Sequence, residues 1–394
     1  MRKIYSILAI IAVISIAACK KNNPVEPENN SKPSVEDPSG DSQDPISEDP
    51  DSQDPDDGTI ALGSAIASFV GKPWDNWTAS SEGGDIDAST VFVYKTAEEL
   101  AESSHPEDGN AYAISSYYPT GEAGADYTGY FTSPEYEVPK TGAAFTLKWC
   151  YKYGPEDGLT IQVKKVGGEW EDVKMPAFIF QQHGPLAAGY ADLKRFAGSK
   201  IQIRLKYYGL AGNTGTWYVS DFEILPSYVY IAADGAPEGW TIENAINPPA
   251  DLVNEDVSCG DSDGSSVWFY RASDGWAAIA PKTQNTFAAM GYTYDANDAD
   301  ATSFFPAITF NGSKAIISID CLDCYMGADQ VTVVDKQGNS LGAIPMWDAW
   351  DDHTISFESA VSKGSQQVFG IRYTASSGFP AGTFCVKKVI VASR

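Results

Sequence analysis

The feature that most limits what this chain can fold into is a set of short alternating strands that occurs twice in the same order. Phe145-Thr146-Leu147-Lys148-Trp149, Leu159-Thr160-Ile161-Gln162-Val163 and Ile201-Gln202-Ile203-Arg204-Leu205-Lys206-Tyr207 place apolar side chains at every second position. That is the period of a strand with one buried face. Gly215-Thr216-Trp217-Tyr218-Val219, followed by Phe222-Glu223-Ile224, returns 167 residues later as Gly382-Thr383-Phe384-Cys385-Val386, followed by Val389-Ile390-Val391. Upstream, Phe145 to Cys150 matches Ile316 to Cys321, Trp77-Thr78 matches Trp240-Thr241, and Lys200 to Arg204 pairs loosely with Gln367 to Arg372. A repeat of this length, with helical periods scarce, predicts an all-β chain of two related sandwiches. They are expected over 59–226 and 227–394, with Pro226 near the junction and one helix near Thr96 to Ser103. Trp77, Trp149, Trp217 and Trp240 fall within strand patterns and are expected in the cores.

These segments resemble the choice-of-anchor J and cleaved-adhesin jelly rolls, relatives of MAM domains. In the first half the resemblance is carried by Thr132-Ser133-Pro134, Lys148-Trp149-Cys150-Tyr151-Lys152-Tyr153, Gly167-Gly168-Glu169-Trp170, Asp192-Leu193 with Phe196 to Lys200, and Gly215 to Phe222. In the second half Pro237-Glu238-Gly239-Trp240 looks like the family's opening strand. The resemblance implies two tandem jelly rolls and an adhesin-like role, holding a glycan or an extracellular protein. The family often has an Asp pair in the closing strand. Here Ser220-Asp221 keeps one acid and Lys387-Lys388 keeps none, so a metal role for that strand is not expected in the second half.

The N-terminus is of a different kind. Arg2 and Lys3 precede an apolar stretch from Ile4 to Ile16; at roughly 13 residues it suits a secretory signal and falls short of the about 20 that span a bilayer. Ile16-Ala17-Ala18-Cys19 resembles the bacterial lipobox. That implies a signal peptide over 1–18, cleavage after Ala18 and a lipid on Cys19, the chain's one expected membrane anchor. An outer-membrane location follows, on a face left open because Lys20 and Lys21, not acids, succeed the cysteine. Residues 19–58 hold seven prolines and the near-repeat Asp41-Ser42-Gln43-Asp44-Pro45 and Asp51-Ser52-Gln53-Asp54-Pro55. Proline removes backbone donors and like charges repel, so a disordered acidic tether is expected. Nucleic acid is excluded as a partner, because a net charge of −26 would be repelled by its phosphates.

Candidate chemistry is sparse. His105, His183 and His353 share no ligand spacing, and no nucleophile elbow occurs. Five cysteines follow Cys19, namely Cys150, Cys259, Cys321, Cys324 and Cys385, an odd number that leaves a thiol over once disulfides form. Asp295-Ala296-Asn297-Asp298-Ala299-Asp300 clusters oxygen donors of the type calcium takes, with Asp295, Asn297, Asp298 and Asp300 the candidate ligands. Trp347-Asp348-Ala349-Trp350-Asp351-Asp352 sets two indoles among acids, a pattern suited to a sugar platform on which Trp347, Trp350, Asp348 and Asp351 would touch ligand, helped by Trp276 and Tyr292. The expectation is a non-enzymatic, lipid-anchored binding module. The rivals are a glycan hydrolase with a carboxylate pair fixed only in space and a structural part of a cell-surface assembly.

Overall fold

The alternation seen in sequence becomes register in the computed structural model. It describes residues 60–82, 86–102, 109–116, 126–152, 158–173, 187–209, 216–246, 268–271, 286–290, 299–323, 330–345, 352–375 and 383–394. All of them lie in one unit, Asp54–Arg394. The chain is all-β, and its one α-helix among the described residues is Ala97–Glu102. That helix starts with a reciprocal cap: Glu99 Oε2 accepts from the Thr96 amide at 2.7 Å, and the Glu99 amide donates to Thr96 Oγ1 at 3.3 Å. No helix of the described residues is long and apolar enough to cross a membrane.

Each half is a sandwich of two antiparallel sheets, and the expected tandem sandwich class is what the structure shows. In the first half one sheet runs Glu171–Val173, Gly158–Lys165, Lys200–Gly209, Tyr127–Thr132, Thr78–Glu82. The second half repeats that order with Ser340–Ile344, Gln330–Asp335, Phe369–Ala375, Ala299–Phe304, Thr241–Ile246. The opposing sheets also correspond. Ala187–Asp192, Ala143–Lys152 and Thr216–Ile231 in the first half match Asp352–Ala360, Lys314–Asp323 and Thr383–Ser393 in the second.

Two separate cores result, because each inner face turns its apolar set away from water. The first gathers Trp74, Trp77, Phe131, Phe145, Ile201, Ile203, Leu205 and Phe222. The second gathers Trp268, Phe287, Phe310, Ile317, Ile371, Tyr373 and Phe384. Trp77 and Trp217 are buried as expected, while Trp240 is half-buried and packs on Phe305 with its indole N–H donated to Tyr228 Oη at 2.7 Å.

The halves are joined by backbone. Thr216–Ile231 runs unbroken through Pro226, and its residues 227–231 pair with 388–392 of the last strand, so the two inner sheets merge into one. Ile60–Leu62 crosses over to lie parallel to Ile308–Phe310, which buries Leu62 completely in the second core, before Ala67–Phe69 joins the first sandwich. Ala144, Tyr190, Leu225, Val229, Ile316, Ile390 and Ala392 form an apolar seam between the halves. Charge reinforces it. Lys388 Nζ lies 3.0 Å from Asp320 and 3.4 Å from Asp192 of the other half. Burial disfavours its charge, yet the two carboxylates outweigh burial and hold its pKa above the usual lysine value. Arg394 Nη2 sits 2.5 Å from buried Glu223 Oε2, a close ion pair.

Candidate functional site

Alternation assigns the outward face of the first half's sheet, in which Tyr136–Glu137 also pairs with Lys200–Gly209 as a sixth strand. Along Lys200–Gly209 the residues Ile201, Ile203, Leu205 and Tyr207 face the core, so Gln202, Arg204, Lys206 and Tyr208 face out. Register then aligns them with neighbours: Arg204 lies opposite Thr132 and Gln162, Lys206 opposite Tyr130 and Thr160, Tyr208 opposite Thr128. Asp172 lies opposite Gln162 at one edge and Glu82 opposite Thr128 at the other. Residues far apart in sequence are thus brought onto one surface.

Arg204 is the centre of this surface. Its guanidinium lies 4.0 Å from the Tyr130 ring centroid and 4.2 Å from that of Trp170, while Lys164 Nζ lies 4.6 Å from Trp170. Such contacts attract a cation to the negative face of a ring. Arg204 Nε donates to Gln162 Oε1 at 2.7 Å, and Gln162 Nε2 in turn donates to Asp172 Oδ1 at 2.6 Å. Tyr130 Oη donates to Glu82 Oε2 at 2.9 Å. Position, orientation and one donor of the guanidinium are therefore fixed, and its two terminal nitrogens have no hydrogen-bond acceptor among the described residues. Burial pulls the Arg204 pKa below the usual guanidinium value, although arginine stays charged at any working pH. Among the described residues no carboxylate forms an ion pair with Arg204, Lys164 or Lys206. Tyr208, 39% exposed, extends the surface toward Glu82. Four residues at about 3.3 Å each place it roughly 13 Å from Arg204.

The second half has an arginine at the matching place. Arg372 faces outward on Phe369–Ala375, opposite Thr302 and Thr332. Asp300 takes both its ends, at 2.8 Å to Nε and 2.6 Å to Nη2. This bidentate pair raises the Arg372 pKa, the hydrogen bond to Asp300 outweighing burial. Lys336 lies 4.0 Å from the Phe304 ring centroid and pairs with Glu243. Each cation of this outward face has its carboxylate.

The residues singled out from sequence are mostly not among those described. Trp347, Asp348, Trp350, Asp351, Trp276 and Tyr292 fall outside the described residues, as do Cys19, Asp295, Asn297 and Asp298. Asp300 is described, and its two carboxylate oxygens accept from Arg372. Asp221, the remaining acid of the closing-strand pattern, sits at a bulge with a left-handed φ of 51°. It accepts from the Gly71 amide at 2.9 Å and pairs with Lys148 at 2.9 Å, so it helps fix the bulge. No group of three or more His, Cys, Asp or Glu suited to a metal occurs among the described residues. Cys321 and Cys385 are buried on paired neighbouring strands. Sequence reasoning missed the Arg204 cluster. Its signal was Arg204 on the outward phase of a strand with Gly167-Gly168-Glu169-Trp170 nearby, but pairing across three strands was needed to assemble it.

No family model matches the chain, and no curated protein matches it. Solved structures align over long stretches. The tandem CBM22-1–CBM22-2 domain of Paenibacillus barcinonensis Xyn10C covers 85% of this chain and 99% of its own, at 13% identity and a TM-score of 0.26. The K1 cleaved adhesin domain of Lys-gingipain from Porphyromonas gingivalis covers 43% and 98%, at 13% identity and a TM-score of 0.29. TmCBM61, solved in complex with β-1,4-galactotriose, covers 39% and 90%, at 18% identity and a TM-score of 0.25. Scores and identities this low decide neither ligand nor activity.

Proposed function

We propose that this protein is a non-catalytic, lipid-anchored module that binds glycan on the outward face of its first sandwich. The observation that carries this reading is the fixed cluster of Arg204, Gln162, Asp172, Tyr130, Glu82 and Trp170 on an otherwise solvent-facing sheet. Sugars offer hydroxyls, which donate and accept, and apolar C–H faces. A surface with held amide, carboxylate and guanidinium groups beside an exposed ring, Tyr208, meets both needs with little side-chain entropy left to lose on binding. Its length exceeds one sugar ring. The Ile16-Ala17-Ala18-Cys19 motif supports anchoring through a lipid on Cys19, with the acidic segment to position 58 as spacer. The Trp347 to Asp351 segment is retained as a second sugar contact on sequence grounds, and Asp295, Asn297 and Asp298 as calcium ligands without Asp300, whose oxygens Arg372 takes.

The test is a binding screen of the detergent-solubilised full chain against neutral and acidic oligosaccharides, with Trp170→Ala and Trp350→Ala. Trp170→Ala is expected to weaken every sugar that binds, by about tenfold or more, equivalent to about 1.4 kcal/mol. Binding to no sugar would remove the reading. Binding unaffected by Trp170→Ala but lost with Trp350→Ala would move the site to the second half. For the anchor, Cys19→Ala is expected to abolish incorporation of labelled palmitate and release the protein from the membrane fraction.

A further inference from the structure

We infer that Arg204 is a specificity site for a sugar carboxylate, so that the ligand of the first sandwich is an acidic glycan bearing uronate or sialate. The inference rests on the glycan reading above and goes one step further, to the ligand's charge.

The internal repeat supplies the argument. Arg204 and Arg372 occupy matching places on matching central strands, each facing out. On the strand beside Arg372, Asp300 stands two residues before Thr302, the residue opposite Arg372. On the strand beside Arg204, Tyr130 stands two residues before Thr132, the residue opposite Arg204. The position that supplies a bidentate carboxylate in the second sandwich is thus a tyrosine in the first. The ring lies 4.0 Å from the guanidinium carbon and, unlike a carboxylate, accepts no hydrogen bond from its terminal N–H groups. A planar fork of donors with no carboxylate in direct ion-pair contact among the described residues matches a carboxylate in two parallel hydrogen bonds, which a lysine ammonium cannot reproduce.

Charge around the site agrees. Lys164, Arg204 and Lys206 share the outward face and outnumber its two flanking acids, Asp172 and Glu82, which are held by Gln162 and Tyr130 and not ion-paired with the guanidinium. A cationic spot on a chain of net charge −26 steers a carboxylate to that place, while the rest of the molecule repels polyanions in general. Binding on this basis is selective for a carboxylate set on a sugar, as opposed to any acidic polymer.

The experiment is calorimetry on the detergent-solubilised full chain with five probes: trigalacturonate, its carboxyl-reduced counterpart, a hyaluronan tetrasaccharide, 3′-sialyllactose and dextran sulfate. The expected result is that at least one carboxylate sugar binds tenfold or more tightly than carboxyl-reduced trigalacturonate. Arg204→Gln should erase that preference, so that the acidic sugar and its reduced counterpart bind the variant alike. Arg204→Lys should restore only part of it, and Arg372→Gln should leave it unchanged. Thermal unfolding of each variant reports whether the fold is kept. Whether the uronate or the sialate probes bind identifies the source of the carboxylate. Equal affinity for acidic and reduced sugars overturns the inference and leaves the glycan reading intact, as does a preference that survives Arg204→Gln. Dextran sulfate binding as tightly as the sugar acids also overturns it, as does binding to neutral sugars alone. Binding to none of the probes removes both readings.

Discussion

The two outward sheet faces were built from one plan and finished differently. In the second, Arg372 is closed by Asp300 and Lys336 by Glu243, so its charges are paired within the chain. In the first, Arg204 is held by Tyr130, Trp170 and Gln162 and, among the described residues, makes no ion pair. An ion pair at a half-exposed surface contributes little to stability, and so the difference says little about folding. It concerns what each face still has to offer: one satisfies itself, and the other leaves a positioned guanidinium open.

If the difference is confined to the outward face, the inward residues under both arginines should behave alike. Ile203 and Ile371 are fully buried beside Arg204 and Arg372. Truncating either to alanine should cost about 2–5 kcal/mol in denaturant unfolding; a large asymmetry would mean that the two sandwiches differ in packing as well as in surface.

Alkaline pH gives a second handle. Burial pushes the Tyr127 and Tyr136 hydroxyls of the first core up to about 12 from an ordinary 10. The folded state therefore favours the neutral phenol, and the stability this provides is present below pH 10 and lost as pH rises from 10 toward 12. Tyr127→Phe is expected to flatten the alkaline limb of a stability-versus-pH curve over that window, and an unchanged limb would refute the assignment.

Exchanging the deciding residue sharpens the comparison. Tyr130→Asp should close Arg204 in the manner of Arg372 and lower affinity for acidic sugar about tenfold or more, which is about 1.4 kcal/mol. Retained affinity would show that the open guanidinium is not what the ligand meets. The smallest effect belongs to Asp300→Asn, which frees Arg372 and should cost about 1 kcal/mol or less, because the pair is partly exposed. A larger loss would mean that the second face needs its ion pair for folding.

Much of the architecture was readable in the chain. Ile201 to Tyr207 alternates so cleanly that its buried and exposed sets could be assigned in advance, and Gly215 to Ile224 returning at Gly382 to Val391 announced the second sandwich. The helix expected near Thr96 to Ser103 is present at Ala97–Glu102, and the structure adds the Thr96 and Glu99 cap that starts it. The candidate site was not readable in the same way. Sequence segments rich in Trp and Asp stand out because their composition is local, whereas Arg204, Gln162, Tyr130 and Trp170 come from separate strands and turns and carry no motif.

The sequence by itself determined the all-β class, the duplication, which residues of each strand face the core and the acidic, proline-rich character of the N-terminal segment. Those properties depend on side-chain period and composition, which are written along one strand at a time. Only the tertiary structure decided that Thr216–Ile231 continues across Pro226 to pair with the last strand, and that Leu62 belongs to the second core although it precedes the first. It also decided that Tyr130 and Asp300 occupy the same place beside an arginine. The physical reason is that register between strands is fixed by long-range pairing and packing, a choice among many alignments that no single strand's pattern contains.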